Sequence, residues 1–594
     1  MAVPAGPVKW ADGAHPKTPS GTRSGRGQDQ TTARIHSRGV KEGQEPNEQW
    51  VPADHGTEKG ALQKRVARGL TWTFIDTWGS QLISLVIFAI LAHLLTEVDF
   101  GLVALAVVFV SFAQLFVDQG LGDALIQRPS VTRSQIDTAF WVSVVTGLLL
   151  MVVGVVLAGP IATLVGEPQL ALIITVLSFN FVVIALSSVQ MALMQRDMRF
   201  RSLAMRRLTG LAAGGIIGVS MAFLGFGAWA LVGQQLSYGV VSVAMLWTVS
   251  PWRPGLRWSR DDFRSLFSFG INIVGSDVLN FISRNSDNLL VGAVLGAGPL
   301  GLYAVGYKIL DTSQTLLVNA ARKLAFPVFS RIQQDPERIR RAYGRVNRAV
   351  SVVIMPGYIG LSIVAQEAIV VLFGQRWALS GPVAATLYLI GPVLTLQVFS
   401  GALLNASGHP NITLRFRLVT TVVHVTGFLI AVTVFHDIVA VAAAFVIGSY
   451  LLLPLNLYLQ HRYGHISVVD HLWQLRWVAL CTLLMAVAVL AVKFALVGQI
   501  HPSVLLAIEV LTGVLVYTVA LLVFERDLLR EVVTVALQAL PGGERVARLA
   551  HIPIAQGRER RRRQMAASAD TGGVDMGMDI AADLGVDEPR VVDI

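Results

Sequence analysis

Cysteine is almost absent from this chain: Cys481 is the only one among 594 residues. A single thiol closes no disulfide within the chain and supplies no thiolate cluster for a metal, so the sequence points to no metal and no cofactor. Charge is scarce too, at 14% of residues. No Gly-x-x-x-x-Gly-Lys-Ser/Thr stretch occurs anywhere, which excludes a P-loop and ATP hydrolysis by this chain alone. Residues 1–60 have few large apolar side chains and are rich in Gly, Pro, Ser, Gln and basic residues, so they cannot bury enough surface to offset the entropy of ordering. The expectation there is a disordered tail, and no apolar h-region marks a signal peptide.

What is abundant is apolar surface. Hydrophobic residues make up 53% of the chain and mean hydropathy is +0.59, far from the balance of a soluble protein. A helix needs about 20 mostly apolar residues to cross the hydrocarbon of a bilayer. On that template spans fall near 70–95, 100–122, 137–160, 168–192, 204–224, 227–249, 266–295, 299–323, 346–373, 380–404, 413–435, 438–460, 474–496 and 502–524. The reading is an all-α polytopic membrane protein of about fourteen transmembrane helices.

Arg and Lys test the count, because short cytoplasmic loops retain positive charge. Basic residues fill alternate loops, at 64–68, 128–133, 196–201, 253–264, 331–348, 415–417, 462 and 526–530. The loops between them are short and nearly bare: "TEVDFG" at 96–101, "GEP" at 166–168, "GFG" at 225–227, "GAGP" at 296–299 and "FHDIV" at 435–439, with Arg376 the exception. The alternation never inverts, so both termini are expected in the cytoplasm. It also accounts for most of the net charge of +10 without a nucleic-acid partner. After the last span, 526–540 has apolar residues at helical spacing and "RERRRR" follows at 558–563. That segment is either a solvated basic tail or a contact with anionic lipid.

The chain also repeats itself. A shift of 200 residues lays "DFGLVALAVVFVSFAQ" (99–114) over "PLGLYAVGYKILDTSQ" (299–314), matching Gly101 to Gly301, Leu102 to Leu302, Ala104 to Ala304 and Gln114 to Gln314. Six helices separate the copies, and an even number returns the chain to the same side. The repeats are therefore parallel, related by an axis along the membrane normal. The expected plan is 61–260 as a first six-helix lobe, 261–465 as a second, 466–525 as two extra helices, and 526–594 as a cytoplasmic amphipathic segment and tail.

Charged residues inside the spans cost about 2.5–3.5 kcal/mol each at the bilayer centre and mark cavities or ion pairs. Arg284 with Asp287, and Lys308 with Asp311, sit three apart on consecutive helices; they either line a watery path or hold the two helices together. Asp76 and His93, then Gln114, form the corresponding polar set of the first repeat. Asp118, Asp123 and Arg128 flank Gly120-Leu121-Gly122 as gate residues or as loop-closing hydrogen bonds. Arg322 and Lys323 either capture an anionic head group or serve as positive-inside anchors.

"SRNSDNLLVGAVLGAGPLGLYAVGYKI" (283–309), "AFPVFSRIQQD" (325–335) and "VDQGLGDALIQR" (117–128) resemble the polysaccharide exporters of the multidrug/oligosaccharidyl-lipid/polysaccharide superfamily. Within it they are most similar to the colanic-acid and teichuronic-acid exporter type, relatives of the O-antigen flippases. The resemblance spans roughly residues 60–525 and leaves both tails outside. It implies a two-lobed, MATE-like transporter in the bacterial cytoplasmic membrane that flips a polyprenyl-diphosphate-linked oligosaccharide by alternating access, for cell-surface polysaccharide biosynthesis. It also implies glycosyltransferases and a polysaccharide polymerase as partners. A diphosphate of about two negative charges gains roughly 4.6 kcal/mol per 100 mV on moving outward across an inside-negative potential, so the drive is either membrane potential alone or potential together with exchange of H⁺ or Na⁺. A MATE-type drug/cation antiporter shares the fold but calls for carboxylates and aromatics where this chain has Arg284 and Lys308. A membrane-embedded polymerase or ligase needs a substantial outside loop, which the spacing does not provide.

Overall fold

The computed structural model describes residues 72–526, apart from 74, 119–120, 129, 251 and 320–335, together with Leu528. The expected tails 1–60 and 526–594 therefore lie essentially outside the described residues, as do Arg322, Lys323 and the 325–335 stretch. The described chain is helical from end to end. A π-turn over Ile75–Gly79 leads into α1 (Ser80–Leu94), followed by α2 (Glu97–Asp118), the short α3 (Leu121–Gln127), α4 (Arg133–Val165), α5 (Gln169–Arg196), α6 (Phe200–Phe223) and α7 (Ala228–Val249). Then come α8 (Arg260–Leu295), α9 (Ala297–Ser313), α10 (Pro336–Phe373), and α11 (Ser380–Tyr388), α12 (Gly391–Gln397) and α13 (Ser400–Ala406), which together make one broken span. The chain closes with α14 (Pro410–Ile430), α15 (Ile438–Gly464), α16 (Val468–Leu496) and α17 (Pro502–Phe524).

Among the described residues, eleven helical segments are long and apolar enough to cross a membrane. The protein is thus a multi-pass membrane protein. The three expected spans that miss this criterion are α6, α8 and α9, helical over 24, 36 and 17 residues. Their sequences explain the shortfall: α6 carries Arg206, Arg207 and a run of glycines, and α8 and α9 carry Arg284, Asp287, Lys308 and Asp311. Low hydropathy here reflects polar groups turned inward rather than a soluble helix.

Helix ends follow local rules. Thr132 and Gln135 form a reciprocal capping box that starts α4, and Ser259, Asp437 and Ser467 cap α8, α15 and α16, satisfying amides that lipid could not. The α8–α9 turn rests on Gly296 at φ +90°, a conformation that side chains resist.

Lipid supplies no hydrophobic drive between helices, so close packing of small residues does much of the work. Gly210, Gly214 and Gly218 on α6 face α7, where added Cβ atoms would meet Ser242, Gln234 and Tyr238. Packing partners repeat along the chain. α4 packs on α5 as α10 does on α11, α6 on α7 as α14 on α15, α2 on α5 as α9 on α11, and α1 on α6 as α8 on α14. α16 and α17 pack on each other and on α10.

Candidate functional site

The polar residues of α8 and α9 meet α2 around a cleft of about 360 Å³, lined by Ser111, Leu115, Asn280, Phe281, Arg284, Asn285, Asn288, Tyr307 and Asp311. Arg284 lies eleven residues before the end of α8, about 17 Å down the helix. The cleft thus runs from mid-span toward the end that carries the basic loops.

The charges do not pair along their own helices. Arg284 instead reaches across to Asp311 of α9, Nη2 to Oδ1 at 3.8 Å, with side chains 57% and 39% exposed. A loose, wet pair of this kind contributes only about 0–1 kcal/mol, so the guanidinium is available to a stronger anionic partner. Asp287 is buried behind the lining, accepting from the Tyr303 hydroxyl at 2.9 Å and from the Asn288 amide at 2.8 Å. Lys308 turns toward α1, with Nζ 3.5 Å from Ser84 Oγ and 5.5 Å from the Phe88 ring centre. Among the described residues no carboxylate lies within ion-pair distance of it.

The remaining polar residues fall elsewhere. Gln114 is half-buried on α2, one residue before the cleft's Leu115. Asp76, in the π-turn before α1, pairs with Arg207 of α6 at 3.7 Å. His93 lies at the opposite end of α1, exposed, with Nδ1 2.8 Å from the Ala89 carbonyl and its ring beside Gly374; it takes no part in the cleft. The side chains of Asp118 and Asp123 lie outside the described residues. Arg128 offers its carbonyl to Arg196 Nη1 at 2.6 Å, and the same nitrogen reaches the Leu125 carbonyl at 2.7 Å. Arg196, which the sequence marks only as a loop charge, closes that turn. The amides Asn280, Asn285 and Asn288 were overlooked beside the charges, although "NFISRNSDN" places them on one polar stretch in mid-span.

At the bare-loop end the seam between repeats is shut. A Cβ on Gly101 would fall on the Ala297 carbonyl, and one on Gly301 would fall on the Glu97 carbonyl. Arg376, the basic exception among the bare loops, donates to the Leu95 carbonyl at 2.8 Å, and buried Trp377 donates to Ala92 at 2.8 Å. Phe88 and Phe100 meet Phe373 and Trp377 edge to face. Carbonyls left over at the end of α1 are thus satisfied from across the seam.

Residues 90–382 match the family described as "Polysaccharide biosynthesis protein". Over this segment the chain is similar to that family. It is similar to the succinoglycan biosynthesis transport protein ExoT of Rhizobium meliloti (strain 1021), at 29% identity over 56% of this chain and 67% of that protein. It is also similar to the teichuronic acid biosynthesis protein TuaB of Bacillus subtilis (strain 168), at 27% identity over 66% and 83%. In fold it resembles the lipid II flippase MurJ in an inward closed conformation, with a TM-score of 0.61 and 15% identity over 77% of this chain and 99% of that one.

Proposed function

We propose that this protein flips a polyprenyl-diphosphate-linked oligosaccharide across the bacterial cytoplasmic membrane by alternating access, and that Arg284 receives the diphosphate. One observation carries the reading: a guanidinium more than half exposed inside a cleft that helices from both repeats line. A lipid-linked sugar cannot take its diphosphate bare through hydrocarbon. Arg284 offers a planar fork suited to two phosphate oxygens, held in waiting by the weak Asp311 contact. Lys308, one turn away from Asp311 on the same helix, adds a second cation, and the amides of Asn280, Asn285 and Asn288 supply donors and acceptors for sugar hydroxyls. The relatives' printed roles in succinoglycan transport and teichuronic acid biosynthesis support a polysaccharide repeat unit as cargo.

The fold plan that goes with this reading is fourteen crossings: two six-helix lobes over 61–260 and 261–465, and the α16–α17 pair over 466–525. The repeated packing partners support it. With basic loops and both termini in the cytoplasm, the shut Gly101/Gly301 seam faces outward and the cleft faces inward, poised to load. In this reading Asp118, Asp123 and Arg128 serve as gate residues and Arg322 and Lys323 as head-group capture residues, with glycosyltransferases and a polymerase as partners. The chain carries no enzymatic step in this reading.

The test is the amount of polyprenyl-diphosphate oligosaccharide left on the inner leaflet of cells carrying Arg284→Ala, at matched protein level. Accumulation with loss of surface polysaccharide is the expected result. No accumulation, together with resistance to cationic drugs in the wild type, would move the assignment to a drug/cation antiporter.

A further inference from the structure

A second group of buried charges lies away from the cleft, between α10, α16 and α17. Lys493 Nζ on α16 donates to Glu367 Oε2 of α10 at 2.7 Å and to the Ile363 carbonyl at 2.6 Å. Glu509 of α17 lies within electrostatic reach of both. It is fully buried, at 0% exposure, and neither carboxylate oxygen has a hydrogen-bond partner. Its helix is otherwise a 23-residue apolar span.

The charge count does not balance. Two carboxylates face one ammonium, and that ammonium is already committed to Glu367. An isolated ionised carboxylate in such a setting carries a large desolvation penalty, while its neutral acid carries a small one. We propose that Glu509, with Glu367 and Lys493, forms a proton-binding site in which Glu509 holds the proton and Glu367 stays ionised.

The position gives the proton a route. Glu509 is seven residues into α17, about 10 Å from the bare-loop end. Lys493 and Glu367 sit three and six residues before the ends of α16 and α10 at that same end, so water on that side has the shortest way in. The other ionisable groups nearby are spoken for. His501, in the connecting turn, accepts from the Ser503 amide. Toward the opposite end Arg348 pairs with Glu525, Tyr517 donates to the Val352 carbonyl, and Cys481 is buried. None of these neutralises Glu509. The site shares no residue with the cleft, and its existence does not depend on the nature of the cargo.

Unaltered full-length protein in proteoliposomes tests this directly. A membrane-permeant carbodiimide reacts with protonated buried carboxyls, and the adducts can be mapped by mass spectrometry. Modification is expected at Glu509 at least about tenfold above that at Glu367, the ratio that one pH unit's difference in protonation would give, and faster at low pH. Infrared spectra should show a protonated-carboxyl carbonyl band that disappears in Glu509→Gln and remains in Glu367→Gln. Equal modification of the two glutamates, no modification of Glu509, or protection of Glu509 by Na⁺ but not by K⁺ would each overturn the proposal, the last by assigning the site to a metal cation. Since the mapping uses the natural chain, a variant that misfolds does not remove the test.

Discussion

Gly101 and Gly301 occupy equivalent places 200 residues apart and contact each other's helices reciprocally: Gly101 lies against Ala297, and Gly301 against Glu97. Since 97 and 297 are themselves 200 apart, the contact is isologous, as it would be across a two-fold axis between two subunits. The axis passes through the crossing of α2 and α9 at the bare-loop end. Neither helix can keep this approach with a larger residue. Valine at either position, Gly101→Val or Gly301→Val, is expected to spread the seam at a cost of at least about 1–3 kcal/mol, shifting the balance of states some 5–150-fold. Both variants should give the same loss of surface polysaccharide with normal membrane insertion, checked by immunoblot of membranes. A loss confined to one of them would place the closure elsewhere.

Arg376 and Trp377 tie that seam together from the other side, where α10 ends. The Arg376 guanidinium donates to the Leu95 carbonyl, a charged hydrogen bond worth about 1.5–3 kcal/mol. Arg376→Gln should therefore lower the melting temperature of the purified protein and raise the accessibility of a thiol placed at Ala297, which the seam buries. Trp377→Phe, which keeps the packing and removes the bond to Ala92, should do the same to a smaller extent.

Asp287 and Lys308 separate what the sequence could disclose from what it could not. Span positions, the loop alternation and the repeat are one-dimensional signals, carried by runs of apolar residues and by Arg and Lys. Among the described residues eleven of the expected segments are helices long and apolar enough to cross a membrane; α6, α8 and α9 are helical but fall short because of their polar residues and, for α9, a length of 17 residues. Pairing is not one-dimensional. Arg284 and Asp287 share a helix face at i, i+3, yet Arg284 turns to Asp311 and Asp287 to Tyr303, because α8 and α9 present those partners at the crossing. His93 reads as part of the first repeat's polar set, but lies by the bare-loop turn beside Gly374, since α1 ends at Leu94. Glu509 escaped notice because one carboxylate in an apolar run means little until its neighbours Glu367 and Lys493 are known.

The Tyr303–Asp287 bond predicts a structural effect, distinct from a transport effect. Tyr303 is fully buried and its hydroxyl satisfies one carboxylate oxygen; Tyr303→Phe leaves that oxygen unpartnered at a cost of about 1–3 kcal/mol. The variant should lose surface polysaccharide only in proportion to its loss of folded protein. Asp287→Asn combined with Tyr303→Phe should be non-additive, because both remove the same contact.

Asp311 supplies the sharpest contrast with Arg284. Their pair is long and wet, so breaking it costs folding no more than about 1 kcal/mol, and Asp311→Asn should leave the melting temperature nearly unchanged. For an anionic head group the substitution removes a competitor and a like charge at once. Binding of a soluble diphosphate-linked oligosaccharide analogue to Asp311→Asn protein should tighten, in a salt-dependent way, since a charge-assisted contact to phosphate strengthens when its rival carboxylate is gone. Arg284→Lys keeps the charge and loses the fork, so it should bind more weakly than wild type and more tightly than Arg284→Ala. That ordering, Asp311→Asn above wild type above Arg284→Lys above Arg284→Ala, follows only if the guanidinium is released from Asp311 to the ligand. If Asp311→Asn binds less well than wild type, the carboxylate is needed to aim Arg284, and the pair works as a fixed unit.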